Sequence, residues 1–494
     1  MKISELFNYE NIVYLEKPLD MEKELRIESD TSAVDENSIF FCYRSVRAEA
    51  PYKLPEFQNN KPYAIVCEWD ANSEQTDIPL IKVKNVRSAL AHSYSRDCGI
   101  NYSSMKIIGV TGTNGKTSTA EMIFRILREN GNSVGFIGTG IIKINDTVLT
   151  DIYYSMTTPD PLLLYPALKK MQDEECSYVV MEVSSHSIAL SKIAPIHFEC
   201  CAFTNLSAEH TDFHKDMEDY YQTKLSLFNN SKKGVFNLDD EYSRRAYNEV
   251  TCAKYSVGVV RRGDGYIIDF CSHGLGGSSY FYKDDALIFK TRLKLAGAYN
   301  VYNALIATKC ALTLGVRACT VKKALENIVS LRGRFEVIED EIKVVIDYAH
   351  TPMAFENLIK SLNSAKTMGQ KLILVFGCGG NRDSTKREVM GKIAEENADF
   401  IILTEDNSRD ENTDNIISDI SRGIDKKEVY TVIKNREEAI RYAIDYAKTN
   451  DIVAVVGKGH EQYIIDNSGR HPFDEKGIIN DALAGRRKNN ENKA

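Results

Sequence analysis

The sequence lacks any apolar stretch that approaches the roughly 18 consecutive residues required by a membrane helix. Its first five residues lack the basic segment and apolar run of a secretory signal. The 11 cysteines include no C-x-x-C pair, which argues against a disulfide framework and against a zinc site. The formal net charge of −8 gives no support to a nucleic-acid partner. We therefore expect a cytoplasmic protein with reduced thiols and with neither a membrane nor a nucleic acid as partner.

The remaining composition, with 43% hydrophobic and 27% charged residues, is that of an ordinary globular protein. A chain of 494 residues is long enough for several domains of about 100–200 residues each. Residues 1–101 carry short alternating apolar stretches, such as 38–42, that are typical of strands. Residues 102–333 and 334–494 alternate apolar strands with amphipathic helices, which predicts parallel sheets with helices on both faces. The predicted fold class is α/β.

Individual elements are predicted most clearly in the second and third of these segments. The strand predictions cover residues 106–110, 178–183, 200–204, 343–347, 371–376, 400–404 and 452–456. The helix predictions cover residues 117–130, 219–228, 300–314, 386–397 and 436–448. Parallel sheets place ligand sites at the carboxyl ends of their strands, so polar residues that follow these strands are the first candidates for a site.

A glycine-rich loop joins the first of these strands to the first helix, and residues 109–117 read Gly–Val–Thr–Gly–Thr–Asn–Gly–Lys–Thr. Glycines let backbone N–H groups converge on phosphate oxygens, and the helix N-terminus adds partial positive charge. Lys116 can reach the β- and γ-phosphates, and the Thr117 hydroxyl can hold Mg²⁺. Val110 stands where the usual G-x-x-x-x-G-K-[ST] template has its first glycine. The loop in its strand–helix context predicts phosphate binding and the use of ATP.

Residues 181–187 read Met–Glu–Val–Ser–Ser–His–Ser and lie at the end of a buried strand. Glu182 and His186 could coordinate Mg²⁺ or align a substrate. Alternatively, Ser184 or Ser185 caps a helix and the cluster is structural. Both interpretations stay open.

Residues 205–214 follow another strand and concentrate His210, Asp212 and His214. A zinc site would need further Cys or His ligands at suitable spacing, whereas Mg²⁺ prefers oxygen ligands and keeps waters. Because a phosphate loop is present, we favour Mg²⁺ or substrate over zinc. On the next predicted helix, Lys224 taken alone is typical of a solvated charge.

Polar loops, some of them rich in glycine, end four strands of the third segment. They cover residues 347–352, 377–383, 406–409 and 457–461. As isolated turns they would be unremarkable. At the same edge of one sheet they predict a ligand cleft.

Together and in this order, these segments resemble the Mur ligase family. The matching strings are residues 109–117, 157–159, 182–186, 205–214, 300–303, 333–334, 347–352, 377–383, 406–409 and 457–461. The resemblance implies three domains: a UDP-substrate domain (1–101), a central ATPase domain (102–333) and a Rossmann-like amino-acid domain (334–494). It implies that ATP phosphorylates a carboxylate of a UDP-muramoyl dipeptide, that the amine of a free diamino acid attacks the acyl phosphate, and that an amide forms. It also implies a monomer that serves peptidoglycan synthesis, and hence cell shape and division.

The resemblance further implies roles for individual residues. Those implied for ATP are Gly112, Thr113, Asn114, Gly115, Lys116, Thr117, Ser118, Asn303, Arg334 and Asp347. Those implied for Mg²⁺ are Thr117, Glu182, His210 and Lys224, with Lys224 carboxylated. With Lys116, the last three form the implied catalytic set. Those implied for the muramoyl peptide are Asp30, Thr157, Thr158, Ser184 and Lys192. Those implied for the amino acid are Arg382, Asp406, Asn407, Ser408, Arg409, Gly457 and Glu461.

The string at 406–409, Asp–Asn–Ser–Arg, resembles the D-N-P-R string of family members that add meso-diaminopimelate. A guanidinium can bind the distal carboxylate of diaminopimelate bidentately. Lysine would instead place an ammonium against Arg409. Ser408 stands where proline, which restricts φ, is usual. We expect diaminopimelate, with L-lysine or another amino acid as alternatives.

The N-terminal segment departs most from the family. Asp30–Thr–Ser lacks the arginine of the family's D-S-R string, and residues 44–51 replace a glycine-rich stretch. Lys192 stands where arginine is common, and Glu209 replaces an aspartate. Because 157–159 is retained, we still expect binding of a UDP-linked muramoyl peptide. The alternatives are a folylpolyglutamate-like ligase for another carboxylate and a non-catalytic paralogue.

Overall fold

The computed structural model describes residues 1–6, 12–15, 17–44, 53–57, 60–149, 156–209 and 213–491. His210, Asp212 and most of the 44–51 stretch lie outside the described residues. The chain forms two compact units. The first unit comprises Met1–Gly109, Asn132–Cys200 and Ser226–Lys232, and the second comprises Val110–Gly131, Cys201–Leu225 and Lys233–Ala494.

The helices and strands are numbered in chain order. The helices are α1 (Ile3–Leu6), α2 (Val86–Asp97), α3 (Lys116–Glu129), α4 (Pro161–Asp173), α5 (Ser185–Ala189), α6 (Met217–Ser226), α7 (Glu241–Glu249), α8 (Ala298–Thr313), α9 (Ala318–Asn327), α10 (Pro352–Ala365), α11 (Thr385–Asn397), α12 (Thr413–Ser421), α13 (Arg436–Tyr446) and α14 (Glu475–Glu491). The strands are β1 (Ile12–Leu15), β2 (Arg26–Glu28), β3 (Ser38–Phe41), β4 (Ala64–Glu68), β5 (Leu80–Val83), β6 (Lys106–Thr111), β7 (Val134–Gly138), β8 (Ile141–Ile144), β9 (Thr147–Val148), β10 (Tyr178–Glu182), β11 (Phe198–Phe203), β12 (Lys233–Asn237), β13 (Ala253–Gly258), β14 (Gly265–Ser272), β15 (Ser278–Lys283), β16 (Ile288–Leu293), β17 (Glu336–Glu339), β18 (Lys343–Asp347), β19 (Leu372–Phe376), β20 (Phe400–Leu403), β21 (Tyr430–Val432), β22 (Ile452–Val456), β23 (Tyr463–Asp466) and β24 (Gly469–Pro472).

The first unit begins with a five-stranded sheet in the order β1-β5-β4-β3-β2. Strands β2 to β5 are parallel, and β1 is antiparallel to β5. Phe40, Ile65 and Leu80 form part of its core. In the same unit β7 pairs in parallel with β10, and the β7–β8–β9 meander is antiparallel.

In the second unit, strands β11 to β14 pair in parallel and continue into the antiparallel strands β15 and β16. The predicted parallel strands are present, and the antiparallel meanders β7–β9 and β14–β16 accompany them. In β8 and β15, buried residues alternate with half-buried ones, as expected for antiparallel strands that are fully covered on one face only.

The second unit also contains a six-stranded sheet in the order β17-β18-β22-β19-β20-β21. Strands β18 to β22 are mutually parallel, and only β17 is antiparallel. Strands β19 and β22 are buried along their whole length, as expected for continuous apolar runs covered on both faces. Parallel pairing brings the carboxyl ends of β18, β19, β20 and β22 to one edge, as predicted.

The elements predicted within residues 102–333 and 334–494 are present with shifts of at most two residues. Strands β18 and β22 have the predicted bounds. The predicted helix at 219–228 is α6, and a 3-10 turn at Leu227–Asn230 continues it. Among the helices that the structure describes, none combines the length and apolarity required to cross a bilayer.

Candidate active site

Two positions of the glycine-rich loop between β6 and α3 have no room for a side chain. Gly112 and Gly115 have φ values of 141° and 82°, which side chains rarely adopt. A Cβ on Gly112 would collide with the Thr204 hydroxyl, and one on Gly115 would collide with the side-chain oxygen of Asn303. The loop therefore requires glycine at both positions for backbone conformation and for space.

Residues that follow β11 hold this loop in shape. The N–H of Thr113 donates to the carbonyl of Asn205 at 2.8 Å, and the N–H of Asn114 donates to the Asn205 side chain at 3.0 Å. The Thr204 hydroxyl donates to the carbonyl of Asn114 at 2.6 Å. Ser118 is buried in the first turn of α3. The loop is preorganised by its neighbours before any ligand contacts it.

Two cationic side chains lie at the start of α3. Lys116 Nζ donates to two carbonyl oxygens of the loop, at 3.0 and 2.8 Å. Arg334 donates from Nη2 to Thr117 Oγ1 at 3.2 Å, and its guanidinium lies 4.3 Å from the ring centroid of Tyr348. The Nε of Arg334 is buried without a hydrogen-bond partner. Two cations beside a helix N-terminus favour a polyanion.

Lys224 is a buried lysine of α6 and is only 1% exposed. Its Nζ donates to the carbonyl of Gly112 at 3.0 Å and lies 4.8 Å from the ring centroid of Tyr220. Burial, followed by the charge of Lys116, holds the pKa of Lys224 well below its ordinary value. The interpretation of this side chain as a solvated charge is wrong. A neutral amine is the form that reacts with carbon dioxide to give a carbamate.

Two further residues that were predicted to contact the nucleotide, Asn303 and Asp347, are buried and held by hydrogen bonds. The side-chain oxygen of Asn303 accepts from Thr119 Oγ1 at 3.3 Å. The Asp347 carboxylate, at the end of β18, accepts from the N–H of Phe335 at 2.6 Å and from that of Ala349 at 2.7 Å. Burial raises the pKa of Asp347. This aspartate ties the backbone beside Arg334 to the end of β18.

In the first unit, four predicted residues gather at the end of β10. Glu182 accepts from the N–H of Thr139 at 2.8 Å and from its hydroxyl at 3.2 Å. The Thr158 hydroxyl donates to the Glu182 carbonyl at 2.9 Å and accepts from the Ser184 N–H at 3.1 Å. Thr157 and Thr139 have their hydroxyl oxygens 3.4 Å apart. The cluster is a connected hydrogen-bond network, as a positioned polar site requires.

The other first-unit candidates have local partners. Ser184 caps α5 by accepting from the N–H of Ser187 at 3.2 Å. The alternative in which this serine caps a helix is therefore confirmed as a contact. Lys192 is 5% exposed, and its Nζ lies 2.6 Å from an Asp160 carboxylate oxygen. Asp30 caps a 3-10 turn by accepting the N–H two residues onward at 2.9 Å.

At the carboxyl edge of the six-stranded sheet, hydrogen bonds fix the backbone of Arg409. Its φ is 53°, in the left-handed region, and its N–H donates to the carbonyl of Ile465 at 3.0 Å. Its Nη1 donates to the carbonyls of Gly380 at 2.8 Å and Asn407 at 3.2 Å. Ser408 is 6% exposed. Contacts with neighbouring loops therefore hold this segment, which carries serine where the family usually has proline.

Lys458, in the polar loop 457–461, is a fully buried residue at this edge that was not among the predicted site residues. Its Nζ donates to the side-chain oxygen of Asn407 at 3.1 Å and lies 3.5 Å from Asp406 and 3.6 Å from Glu461. Burial and the charge of Asp406 raise the pKa of Glu461. Although burial opposes the charged form of Asp406, the Lys458 ammonium helps to hold the pKa of that carboxyl below its ordinary value. Gly457, at φ 116°, leaves space beside Asp406.

Side-chain atoms of Arg382 and Arg409 both lie near Gly379. A Cβ on Gly379 would lie 3.1 Å from Arg409 Nη1 and 3.9 Å from Arg382 Cγ. Burial and the charge of Arg382 lower the pKa of Arg409. Two neighbouring guanidinium charges that disfavour each other are the kind of arrangement that suits a carboxylate ligand.

The residues suggested for a metal suit a hard cation better than zinc. Within the described ranges no three His, Cys, Asp or Glu side chains are grouped as a metal site. Thr117 and Glu182 offer oxygen atoms, which Mg²⁺ prefers. Lys224 would offer oxygen only as a carbamate. His210 lies outside the described residues.

Comparison with protein families gives two matches in succession. The model of the Mur ligase middle domain matches residues 110–311, and that of the Mur ligase glutamate ligase domain matches residues 333–459.

Among similar proteins, one from Clostridium botulinum is 37% identical, covering 93% of this chain and 95% of its own. One from Aquifex aeolicus is 36% identical, covering 96% and 97%. Each is named UDP-N-acetylmuramoyl-L-alanyl-D-glutamate--2,6-diaminopimelate ligase. A solved structure of a ligase with that name has a TM-score of 0.66 at 26% identity and covers 99% of both chains. The MurF ligase of Thermotoga maritima in complex with ADP has a TM-score of 0.60 at 18% identity, covers 94% of this chain and 99% of its own, and shares the fold.

Proposed function

The chain belongs to the Mur ligase family, and we propose that it joins meso-2,6-diaminopimelate to UDP-N-acetylmuramoyl-L-alanyl-D-glutamate at the expense of ATP. The observation that carries the choice of amino acid is the pair Arg382 and Arg409 around Gly379. Diaminopimelate ends in a carboxylate that two guanidiniums can hold, whereas lysine ends in an ammonium that they would repel.

The reaction proceeds in two steps. A carboxylate oxygen of the dipeptide attacks the γ-phosphorus of ATP, the bond to the β-phosphate oxygen breaks, and ADP leaves. The neutral amine of diaminopimelate then attacks the acyl carbon, and the tetrahedral intermediate expels phosphate and loses a proton to give the amide. Positioning and charge neutralisation supply most of the catalysis in phosphoryl transfer. Lys116 and Arg334 are the cations that serve this purpose at the phosphate loop.

Mg²⁺ would be held by Thr117, Glu182, His210 and carboxylated Lys224, and when bound it neutralises phosphate charge. The burial of Lys224 and its lowered pKa support carboxylation, because the neutral amine is the reactive form. The remaining nucleotide contacts are assigned to the loop 112–118, Asn303 and Asp347.

The muramoyl peptide is assigned to the first-unit residues at the end of β10 together with the N-terminal domain. The connected hydroxyls of Thr157, Thr158 and Ser184 support this assignment. Lys192 and Asp30 complete the set. Titration with the UDP-muramoyl dipeptide should show saturable binding, and an absence of binding would contradict the assignment.

The amino-acid end of the site is assigned to the C-terminal domain, residues 334–494. Its contacts are Arg382, the string 406–409, Gly457 and Glu461. The hydrogen-bonded cluster of Asp406, Asn407, Lys458 and Glu461 supports a polar pocket for the zwitterionic end of an amino acid.

This activity places the protein in peptidoglycan precursor synthesis, and so in cell-wall growth, cell shape and division. We assign it to the cytoplasm, where ATP is available, and propose that it acts as a monomer. Gel filtration should return a mass near the 55.7 kDa of one chain.

An amino-acid panel tests the proposed function. Phosphate release is measured with ATP, Mg²⁺, the UDP-muramoyl dipeptide and one of meso-diaminopimelate, LL-diaminopimelate, L-lysine or L-ornithine. The proposal expects the highest kcat/KM with meso-diaminopimelate. Preference for lysine would indicate the lysine-adding version of the enzyme. Turnover with a folate and not with the muramoyl peptide would indicate a folylpolyglutamate-like ligase. No turnover despite ATP binding would indicate a non-catalytic protein.

A further inference from the structure

Arg387 is a buried arginine that belongs to none of the groups assigned above. It lies in the first turn of α11 and is 1% exposed. Its Nη1 and Nη2 donate to the two carboxylate oxygens of Glu411 at 2.6 and 2.7 Å, a bidentate pair. Its Nη1 also donates to Asp419 at 2.9 Å, and its Nη2 to the carbonyl of Gly379 at 3.3 Å. One side chain thus joins three chain segments.

Two of the segments joined by Arg387 are the loops that carry Arg382 and Arg409. The β19 loop (residues 377–384) contains Arg382, and the β20 loop (residues 404–412) contains Arg409 and Glu411. Because Arg387 contacts Gly379 in the first loop and Glu411 in the second, its guanidinium fixes their separation.

The two loops also contact each other directly. The N–H of Gly380 donates to the carbonyl of Asn407 at 2.9 Å, and Arg409 Nη1 donates to the carbonyl of Gly380 at 2.8 Å. The N–H of Asn381 donates to Glu411 at 3.1 Å, so the carboxylate held by Arg387 also holds the backbone next to Arg382. A Cβ on Gly380 would collide with the Ser408 carbonyl. The contact leaves little room for the loops to shift.

Both arginine-bearing segments contain strained backbone. Asn381, which precedes Arg382, has a φ of 51°, and Arg409 has a φ of 53°. Residues other than glycine persist in the left-handed region only when their surroundings fix them. The Glu411 carboxylate supplies one such contact at Asn381.

Arg387 also pairs with the carboxylates that lie near the two loops. Glu411 and Asp419 are both bonded to Arg387. Among the residues that the structure describes, Arg382 and Arg409 form no ion pair of their own. Their charges therefore remain available to an anion from solution.

We propose that Arg387 is a positioning residue for the incoming amino acid. With Glu411 it locks the β19 and β20 loops so that Arg382 and Arg409 together receive the distal carboxylate of the diamino acid. This inference rests on the proposed function for the identity of the ligand, but the locking of the loops does not depend on it.

The test uses Arg387→Lys and Glu411→Gln in the full chain. Lysine keeps the charge but cannot bond both oxygens of Glu411 in the fork geometry, and glutamine keeps the shape but loses the charge. Arg422→Lys is the matched control, because Arg422 also bonds Asp419, at 2.8 Å, yet its side chain is 66% exposed and forms no described hydrogen bond or ion pair with either loop.

Two readouts are needed. In steady-state assays both test variants should raise the KM for meso-diaminopimelate about tenfold or more, because small displacements of positioning groups are costly. The KM values for ATP and the UDP-muramoyl dipeptide, and kcat, should stay within about threefold of wild type. In hydrogen exchange without substrates, the amides of Gly380, Asn381 and Arg409 should exchange faster in both variants than in Arg422→Lys.

The outcomes separate the two proposals. Unchanged exchange in both variants would overturn the locking of the loops. Faster exchange with an unchanged KM for meso-diaminopimelate, or with all three KM values raised equally, would overturn the positioning role. A wild-type protein that uses no diamino acid would overturn the proposed function, and the exchange measurement would still decide whether Arg387 locks the loops.

Discussion

At the scale of single residues, Gly115 and Gly131 offer a matched comparison at the two ends of α3. Their φ values are nearly equal, 82° and 83°. A Cβ on Gly115 would collide with Asn303, whereas one on Gly131 would meet nothing within 4 Å. Both alanine variants should lose about 1 kcal/mol of stability from the positive φ. Only Gly115→Ala should also raise the KM for ATP, by about tenfold or more. Equal ATP kinetics in the two variants would contradict the assignment of this loop.

Lys224 provides a second residue-scale prediction. Lys224→Ala should lose activity by about 100-fold or more, because the variant lacks the side chain proposed to supply an anionic metal ligand as its carbamate. Added short carboxylic acids should restore part of that activity. Lys232→Ala is the control. Its activity should equal that of the wild type, because Lys232 is 74% exposed. A fully active Lys224→Ala variant would remove the assigned role.

His460 makes a prediction about pH and stability. Burial lowers its pKa to about 3 from an ordinary 6.5. Between these values the unfolded chain binds a proton that the folded chain does not, so stability falls as pH decreases below about 6.5. From pH 7 to pH 5 the wild type should lose about 2 kcal/mol more unfolding free energy than His460→Phe. Urea unfolding at both pH values measures this, and parallel losses in the two proteins would show that His460 is protonated in the folded state.

At the scale of elements, the β23–β24 hairpin supports the loop that carries Arg409. Ile465 donates its N–H to the Asn407 side chain at 2.9 Å and accepts from the Arg409 N–H at 3.0 Å. Because these groups of Ile465 point at the loop, proline at 465 removes one support without removing a bond to β24. Ile465→Pro should raise the KM for meso-diaminopimelate several-fold and leave the KM for ATP unchanged. Asp466→Asn, on the exposed end of the hairpin, is the control. Identical kinetics for the two variants would contradict the supporting role of the hairpin for the loop that carries Arg409.

The sequence predicted the elements that bury continuous or periodic apolar residues. Strands β18, β19, β20 and β22 are such runs, and their order along the chain was enough to predict a shared ligand edge. The β14–β16 meander was missed because half-buried strands with polar outer faces have a weak pattern. The positions of polar side chains that depend on tertiary contacts were missed for a different reason. Lys458 and Arg387 look like surface residues in sequence, and only the packing of loops from distant segments buries them.

At the scale of the whole molecule, the fold and the family follow from the same sequence features. The glycines and the Lys–Thr pair of the loop at 109–117 predicted phosphate binding, and the structure places this loop between β6 and α3. The helical spacing of Lys224 gave no sign of its burial, and its role as a carboxylated metal ligand was implied by the resemblance alone. The N-terminal segment departs from the family string at Asp30, which caps a 3-10 turn in the structure.

One measurement tests the central claim most directly. The purified protein receives ATP, Mg²⁺, equimolar meso-diaminopimelate and L-lysine, and UDP-N-acetylmuramoyl-L-alanyl-D-glutamate labelled with ¹⁸O in both oxygens of the reacting carboxylate. Mass spectrometry of the products should show the diaminopimelate tripeptide with one ¹⁸O in the new amide and the other ¹⁸O in inorganic phosphate. A lysine product in excess would contradict the assigned role of Arg382 and Arg409. Phosphate without the label would contradict activation of the carboxylate by ATP.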